Sequence, residues 1–289
     1  MYAEFDLTIP ENLPEALKAL GVAGKRAVPL SGGTNVLVDI RSQRIAPDCL
    51  LDLGHVHQLR GITVEQGRVT LGARTTVGDL LASAEVARYA PALVEAARVF
   101  AGQMVRNAAT VAGNVACGSP AADLVPPLLA LDAEVTLSSV RGSRKLALAD
   151  YHVGYKSDRR EADELITAIS WPVPAANAFG GFYKLARRKG DAITVTGVAV
   201  SIGIDGRRCD RARIALGSVA PIPMRARKAE ALLEGAEMTP DRIAAAAAAA
   251  MEECSPIDDV RATGEYRRHM VGVLVARLIN AAIQAASKE

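Results

Sequence analysis

The sequence is poor in the residues that mark several common classes of protein. Only 4% of its 289 residues are aromatic, too few for a surface that stacks nucleic-acid bases. Its 34 basic and 32 acidic residues leave a formal charge of +2, so it lacks the strongly basic field that retains polyanions. The composition therefore predicts a protein that binds neither nucleic acid nor anionic lipid.

Cysteine is also scarce. The chain has 4 cysteines and no CxxC pair, which argues against a zinc ribbon and against a local iron–sulfur cluster. A chain of this size needs no disulfide framework, so we expect free thiols and a cytoplasmic location.

Long apolar runs are missing as well. The N-terminal decapeptide carries acidic residues and no apolar core of a signal peptide. The longest apolar stretches, Ile243–Met251 and Met270–Ala276, are far shorter than the about 20 residues of a membrane span. We therefore expect no membrane span.

What is present indicates a globular protein of about two domains, because 50% of the residues are hydrophobic and 23% are charged. The proline-rich segment 172–176 reads as a linker, which divides the chain into residues 1–173 and 178–286. Apolar stretches at Ala27–Leu30 and Val36–Ile40 are expected to be strands. Helices are predicted from the Asn12 cap to Gly21, from the Thr76 cap over Val77–Val86, from Ser119 onward, at Pro240–Glu253 and at Gly264–Ala286. The stretches Ile62–Val64 and Arg68–Leu71, joined by residues 65–67, are predicted to form a hairpin.

The first candidate site is the segment between the two expected strands, and it consists of Ser31, Gly32, Gly33, Thr34 and Asn35. Paired glycines let backbone N–H groups converge on an anion, while the three polar side chains add donors. A diphosphate needs such an arrangement. An ordinary tight turn remains the alternative.

The second candidate is a predicted small-residue loop that includes Thr110, Ala112, Gly113 and Asn114 and leads to the helix start expected at Ser119. Free N–H groups at a helix start attract anions, and Asp123 could accept from ribose hydroxyls. Alternatively, Asp123 is a first-turn acid and Ser119 a cap. No GxGxxG follows a strand, so the usual Rossmann fingerprint is absent.

A third candidate is the segment 183–191, where Lys184 could stabilise negative charge beside a reduced flavin ring. A solvated basic turn is the alternative. His55 and His57 have a spacing that metals use, but nothing places a third ligand near them, and we expect no metal site. No hydrolase signature is present.

Taken together, these segments resemble the FAD-binding medium subunit of the molybdenum hydroxylases, the group of carbon monoxide dehydrogenase and xanthine dehydrogenase. Residues 31–35 look like the first flavin motif of that family. Residues 103–107, with Arg106 and Asn107, lead into residues 110–114, which look like its second motif. Residues 119–123 match the segment whose aspartate contacts the cofactor. Ala112 stands where the family usually has glycine, and its Cβ disfavours a positive φ.

The resemblance implies an α+β fold with two parts. These are a two-subdomain FAD-binding domain of the vanillyl-alcohol oxidase-like (PCMH) type and a small C-terminal α+β domain. It implies non-covalent FAD on this chain, with the main chain at Leu165 and Ile166 facing the ring or the adenine and Lys184 near the isoalloxazine edge.

The implied function is electron relay between 2Fe–2S clusters and an external carrier, with no catalytic acid or base on this chain. The expected partners are an iron–sulfur small subunit and a molybdopterin-binding large subunit that carries the molybdenum cofactor, assembled as a dimer of heterotrimers. Two alternatives remain open. One is a stand-alone NAD-dependent dehydrogenase, and the other is a non-catalytic scaffold that has lost FAD.

Overall fold

The chain begins with a small parallel sheet. In the computed structural model, which describes residues 4–22 and 26–287, this sheet has the strand order β1-β3-β2. Its elements, in chain order, are β1 (Asp6–Thr8), α1 (Leu13–Leu20), β2 (Ala27–Leu30), α2 (Val36–Arg41) and β3 (Cys49–Asp52). Asn12 caps α1 by accepting from the Glu15 backbone N–H at 3.0 Å, and Gly21 ends it, as the sequence predicts.

An antiparallel sheet of order β4-β5-β10-β6-β7 forms the second layer. Its first hairpin is β4 (Ile62–Glu65) with β5 (Arg68–Gly72). A helical segment then intervenes, made of α3 (Val77–Ala82), α4 (Ala84–Tyr89), α5 (Pro91–Arg98), α6 (Gln103–Ala108), α7 (Val111–Ala116) and α8 (Val125–Ala130). The remaining elements are β6 (Glu134–Ser139), β7 (Gly142–Ala147), α9 (Leu148–Tyr151), β8 (His152–Gly154), β9 (Ser157–Asp158) and β10 (Leu165–Pro172).

The last third of the chain forms an antiparallel sheet backed by helices. The sheet runs β11-β12-β13-β14. Its elements are β11 (Ala178–Leu185), β12 (Thr196–Asp205), β13 (Arg208–Gly217), β14 (Met224–Arg225), α10 (Arg227–Leu233), α11 (Pro240–Glu252) and α12 (Gly264–Ala286). Both closing helices lie where the sequence predicts them.

Two hydrophobic cores result. One contains residues of both N-terminal sheets and of α5 and α8, and the other lies between the C-terminal sheet and the helices α10, α11 and α12. Phe182, Ala199 and Ala215 of the C-terminal sheet belong to the first core, because this sheet packs its other face against α5 and α8. The two parts of the chain therefore share a buried apolar interface.

Several expected elements differ from the structure. The stretch Val36–Ile40 is helical in α2 and not a strand, because the N–H of Leu37 bonds to the Gly33 carbonyl and so starts a helix. The helix predicted at Val77–Val86 breaks at Ser83, which caps a second helix. The helix expected from Ser119 begins instead at Val125, with prolines in its first turn. Proline is tolerated there because the N–H groups of the first turn form no hydrogen bond within the helix.

The helix α12 is long and apolar enough to span a membrane by length and composition alone. Its buried residues, among them Val271, Leu274, Val275 and Ile279, pack against β12 and α11. This packing makes α12 a core helix of the C-terminal part.

Candidate cofactor site

The first glycine segment joins β2 to α2 and lies directly against the second candidate segment. A Cβ on Gly32 would stand 1.9 Å from the Ala108 carbonyl oxygen, so glycine is needed for this close approach. Gly33 has a φ of +70°, a left-handed conformation that most side chains avoid. Both glycines are therefore required by geometry.

The same segment has donors to spare. Among the described residues, no acceptor is found for the backbone N–H groups of Gly33, Thr34 and Asn35. The buried Ser31 hydroxyl also has no partner there. Buried polar groups normally find partners, so a ligand oxygen is the natural complement to the Ser31 hydroxyl, and the neighbouring N–H groups can bind the same anion. The exposed side chains of Thr34 and Asn35 place the segment at an open rim.

The second segment is helical, where the sequence suggested a loop. Thr110 caps α7 by accepting from the Gly113 N–H at 3.1 Å, and it pairs with Thr76 in an isolated β-bridge. Ala112 lies buried in the first turn of α7, in right-handed backbone, so the departure from glycine needs no altered loop. Gly113 is exposed, and a Cβ there would crowd the Thr110 hydroxyl at 2.8 Å.

Arg106 and Asn107 behave differently from each other. The Arg106 guanidinium donates to the carbonyls of Phe100 and Ala101, at 2.9 and 2.7 Å. Ala101 has a φ of +35°, so Arg106 holds an unfavourable turn in place. Asn107 is exposed at the end of α6 and lies close to Gly78.

Asn114 connects the second segment to Asp123. Its side-chain oxygen accepts from the Leu124 N–H at 3.2 Å. The Asp123 carboxylate accepts from the Lys184 ammonium at 2.6 Å and from the Thr194 hydroxyl. Burial raises the pKa of Asp123, and the charge and hydrogen bond of Lys184 offset this only in part. The structure thus brings two predicted site residues, one from the N-terminal part and one from the C-terminal sheet, together as a buried ion pair.

Leu165 and Ile166 lie at the start of β10, both buried, and their main chain pairs with Ser138 and Leu137 of β6. On the other side, β5 pairs with β10 only from Ala168 onward. Within the described part of the chain, the main-chain edge at Leu165 and Ile166 therefore has no strand partner on the side of β5. Helix α7 packs against this strand.

Asp39 and Lys156 are polar residues of this region that sequence reasoning missed. Asp39 is 6% exposed and accepts from Lys156 at 2.9 Å, from Asn35 at 3.0 Å and from Arg44 at 3.3 Å. Burial opposes ionisation of Asp39, but the hydrogen bonds and charges of Lys156 and Arg44 outweigh it and lower its pKa. Asp39 lies four residues after Asn35 on α2, a usable local signal, whereas the sequence offers no signal for the distant Lys156.

The remaining candidates are more ordinary. His55 pairs with Glu11 at 3.0 Å at an exposed position. Across residues 4–22 and 26–287, no group of three or more His, Cys, Asp or Glu side chains has the geometry to hold a metal ion. In the segment 183–191, the Arg188 guanidinium donates to the Asp191 carbonyl at 2.6 Å.

The fold combines a parallel βαβ unit, an antiparallel sheet and a smaller part of sheet and helices. In the βαβ unit the glycine segment lies against a second small-residue segment. These features are those of a flavoprotein with an FAD-binding domain. Comparison with known families agrees. A family described as "FAD binding domain in molybdopterin dehydrogenase" matches residues 3–174, and one described as "CO dehydrogenase flavoprotein C-terminal domain" matches residues 181–282. The chain belongs to this family of FAD-binding medium subunits of molybdenum-containing oxidoreductases.

Individual relatives share the fold over nearly their whole length. The carbon monoxide dehydrogenase medium chain of Hydrogenophaga pseudoflava is 33% identical, covering 96% of each chain. The xanthine dehydrogenase FAD-binding subunit of Escherichia coli O157:H7 is 30% identical, covering 89% of each. A carbon monoxide dehydrogenase structure from H. pseudoflava superposes with a TM-score of 0.95 at 34% identity, covering 98% of this chain and 99% of that one. Quinoline 2-oxidoreductase from Pseudomonas putida 86 gives a TM-score of 0.92 at 29% identity, covering 99% of each chain.

Proposed function

We propose that this chain holds FAD non-covalently and relays electrons between the 2Fe–2S clusters of a partner subunit and an external carrier. The observation that carries the proposal is the glycine segment 31–35. Its free N–H groups and its unpartnered Ser31 hydroxyl face no acceptor among the described residues. When bound, FAD supplies the conversion between single-electron and two-electron transfer.

The residues of this chain have binding and positioning roles in this proposal. Gly32, Gly33 and Thr34 bind one phosphate, and Gly113 and Asn114 lie on the other side of the diphosphate. Asp123 anchors the ribityl or ribose region, Leu165 and Ile166 present main chain to the ring or adenine, and Lys184 stands at the isoalloxazine edge. In the described structure both Asp123 oxygens accept from Lys184 and Thr194, so this buried pair joins the second segment to the C-terminal sheet.

The complex that we propose contains an iron–sulfur small subunit and a molybdopterin-binding large subunit, in the form of a dimer of heterotrimers in the cytoplasm. The names of its relatives support a complex of several subunits, because they describe medium chains and FAD subunits of dehydrogenases. We also propose that residues 1–173 and 178–286 are the two domains. The family matches at 3–174 and 181–282 support that division.

The decisive experiment measures flavin in the purified full chain and in two glycine variants. Wild type should be yellow and should release one FAD per chain on denaturation. Gly32→Ala should lose most of its FAD, because the new Cβ would collide with the Ala108 carbonyl and part the two segments. Gly154→Ala is the matched control, since its Cβ would meet only Ser157 at 3.8 Å. A colourless wild type that FAD cannot reconstitute would contradict the proposal and favour a scaffold.

A second experiment tests the relay. The untagged native protein should copurify with an iron–sulfur and a molybdopterin-containing subunit, and the reduced iron–sulfur partner should reduce the bound flavin. Reduction of the flavin by a small alcohol or acid without any partner would instead favour a stand-alone dehydrogenase.

A further inference from the structure

The two segments that we assign to FAD are joined at two places. The first is the close packing of Gly32 on Ala108. The second is Lys156, at the turn between β8 and β9, far from both segments in sequence. The N–H groups of residues 33–35, which have no acceptor among the described residues, belong to the segment that is held at both places.

Lys156 contacts the elements that follow the two segments, and it does so with different groups. Its backbone N–H donates to the Gly118 carbonyl at 3.1 Å, just after α7. Its ammonium donates to Asp39 of α2 at 2.9 Å, and the same Asp39 oxygen accepts from Asn35. Lys156 therefore links the turn after α7 to Asp39 of α2, and Asp39 in turn accepts from Asn35, the last residue of the first segment.

The backbone around Lys156 is shaped for this role. Gly118 has a φ of +60°, and a Cβ there would stand 2.7 Å from the Lys156 Cα, so the two main chains are as close as glycine permits. Lys156 itself has a φ of +52°, which is unusual for a residue with a Cβ. Strained backbone of this kind persists where the surrounding contacts require it.

The ion pair between Lys156 and Asp39 is largely shielded from solvent. The Asp39 side chain is 9% exposed and that of Lys156 is 32% exposed, whereas Arg44, the other cation on Asp39, is 64% exposed. Loss of one partner of a buried charge pair costs more than loss of a surface pair, because the remaining charge stays desolvated. Lys156 is therefore the principal partner of Asp39.

We infer that Lys156 and Asp39 form a positioning pair that fixes the two glycine segments at the spacing required by the diphosphate of FAD. The inference rests on the proposed function, since it assigns this cleft to FAD. The pair should act on the diphosphate half of the cofactor, because its contacts reach Asn35 through Asp39 and reach Gly118, beside the segments proposed for the diphosphate. Lys184, proposed for the flavin ring, bonds instead to Asp123 and Val99.

The test uses the full chain stripped of flavin, with Lys156→Met, Lys156→Arg, Asp39→Asn and, as the matched control, Arg44→Met. Arg44→Met removes a cation from the same carboxylate without touching the second segment. For each variant the dissociation constants of FAD, ADP and riboflavin and the thermal unfolding midpoint are measured. Lys156→Met and Asp39→Asn should weaken FAD and ADP about tenfold, equivalent to about 1.4 kcal/mol. Their riboflavin affinity should stay within twofold.

Rescue by chemistry completes the test. Lys156→Arg should retain most of the FAD and ADP affinity, because arginine keeps the charge, and Arg44→Met should stay within twofold of wild type for all three ligands. An equal loss for all three ligands in Lys156→Met and Asp39→Asn, or an equal loss in Arg44→Met, would overturn the inference and indicate general destabilisation. A wild type that binds none of the ligands would refute the proposed function itself. If the wild type binds FAD and Lys156→Met and Asp39→Asn bind it equally tightly, only the inference about the pair is overturned.

Discussion

Lys184 of the C-terminal sheet donates to Asp123 of the N-terminal part across 2.6 Å, and both side chains are almost fully buried, at 6% and 8% exposure. Lys184 also donates to the Val99 carbonyl at 3.2 Å, and Thr194 donates to the other Asp123 oxygen. A charge pair thus crosses the interface between the two parts of the chain. Burial raises the pKa of Asp123, and Lys184 counteracts that rise.

Lys184→Met should destabilise the protein by about 3 kcal/mol at neutral pH, because it leaves the Asp123 carboxylate buried without its counter-ion. The folded-state pKa of Asp123 lies above the unfolded value, so its contribution favours folding at acidic pH and is lost as the pH rises. The loss in free energy of unfolding caused by Lys184→Met should therefore be smallest below pH about 4 and should increase as the pH rises. Denaturant unfolding at several pH values measures it.

Lys145→Met is the control for this substitution, since Lys145 is an exposed lysine on the edge strand β7. It should change the free energy of unfolding by less than about 0.5 kcal/mol. If both variants unfold alike, or if the Lys184→Met deficit is independent of pH, the buried pair does not carry the interface as described.

A second charged contact between the two parts centres on Asp132, which accepts from Arg211, Arg213 and Arg225 at 2.6, 2.9 and 2.5 Å. Burial opposes its ionisation, but the hydrogen bond from Arg213 and the charges of Arg225 and Arg213 outweigh this and lower its pKa. Its contribution is therefore present above the unfolded value of about 3.9 and is lost as the pH falls through the lower folded value.

Asp132→Asn should lower the free energy of unfolding by about 1 kcal/mol at pH 7, a value suited to a partly exposed group. The variant should also lose less stability than wild type on acidification below pH about 4. Asparagine tolerates the positive φ of +51° at this position, so the effect reports charge and not backbone strain. Asp150→Asn, an exposed aspartate in α9, should leave both the stability and its acid dependence unchanged.

Ser31→Ala should have opposite effects on the free protein and on cofactor binding. The Ser31 hydroxyl is buried with no partner among residues 4–22 and 26–287, so its removal should leave the apoprotein as stable or slightly more stable. FAD should bind about threefold to tenfold more weakly, the value of one hydrogen bond, because a ligand oxygen loses the Ser31 hydroxyl as its donor. Unfolding midpoints of the apoprotein and FAD titrations measure the two effects.

Ser138→Ala gives the contrasting pattern, because the Ser138 hydroxyl bonds to Ser143 and Thr167 at 2.8 and 2.9 Å within the five-stranded sheet. It should lower stability and leave the FAD affinity unchanged. If Ser31→Ala binds FAD as tightly as wild type does, then Ser31 is not a contact of the cofactor.

Local patterns predicted the regular elements where short-range chemistry decides them. The Asn12 and Thr76 caps, the hairpin around residues 65–68 and the two closing helices all depend on side chains within a few positions, and they lie where expected. The local predictions of a strand at α2 and a loop at α7 were wrong. Valine and small residues favour strands or loops locally, but the turns at Gly33 and Thr110 start helices that pack on the sheets.

The sequence by itself determined the family of this protein, because the glycine segment, the second small-residue segment and the 119–123 segment each lie within a few adjacent positions. It also nominated Asp123 and Lys184. Tertiary structure alone decided that those two pair across the interface. It also decided that Lys156 contacts Gly118 and Asp39, although Asp39 lies 117 positions earlier in the sequence. The physical reason is that charge pairing and backbone packing depend on distance in space, which no local pattern of side chains encodes.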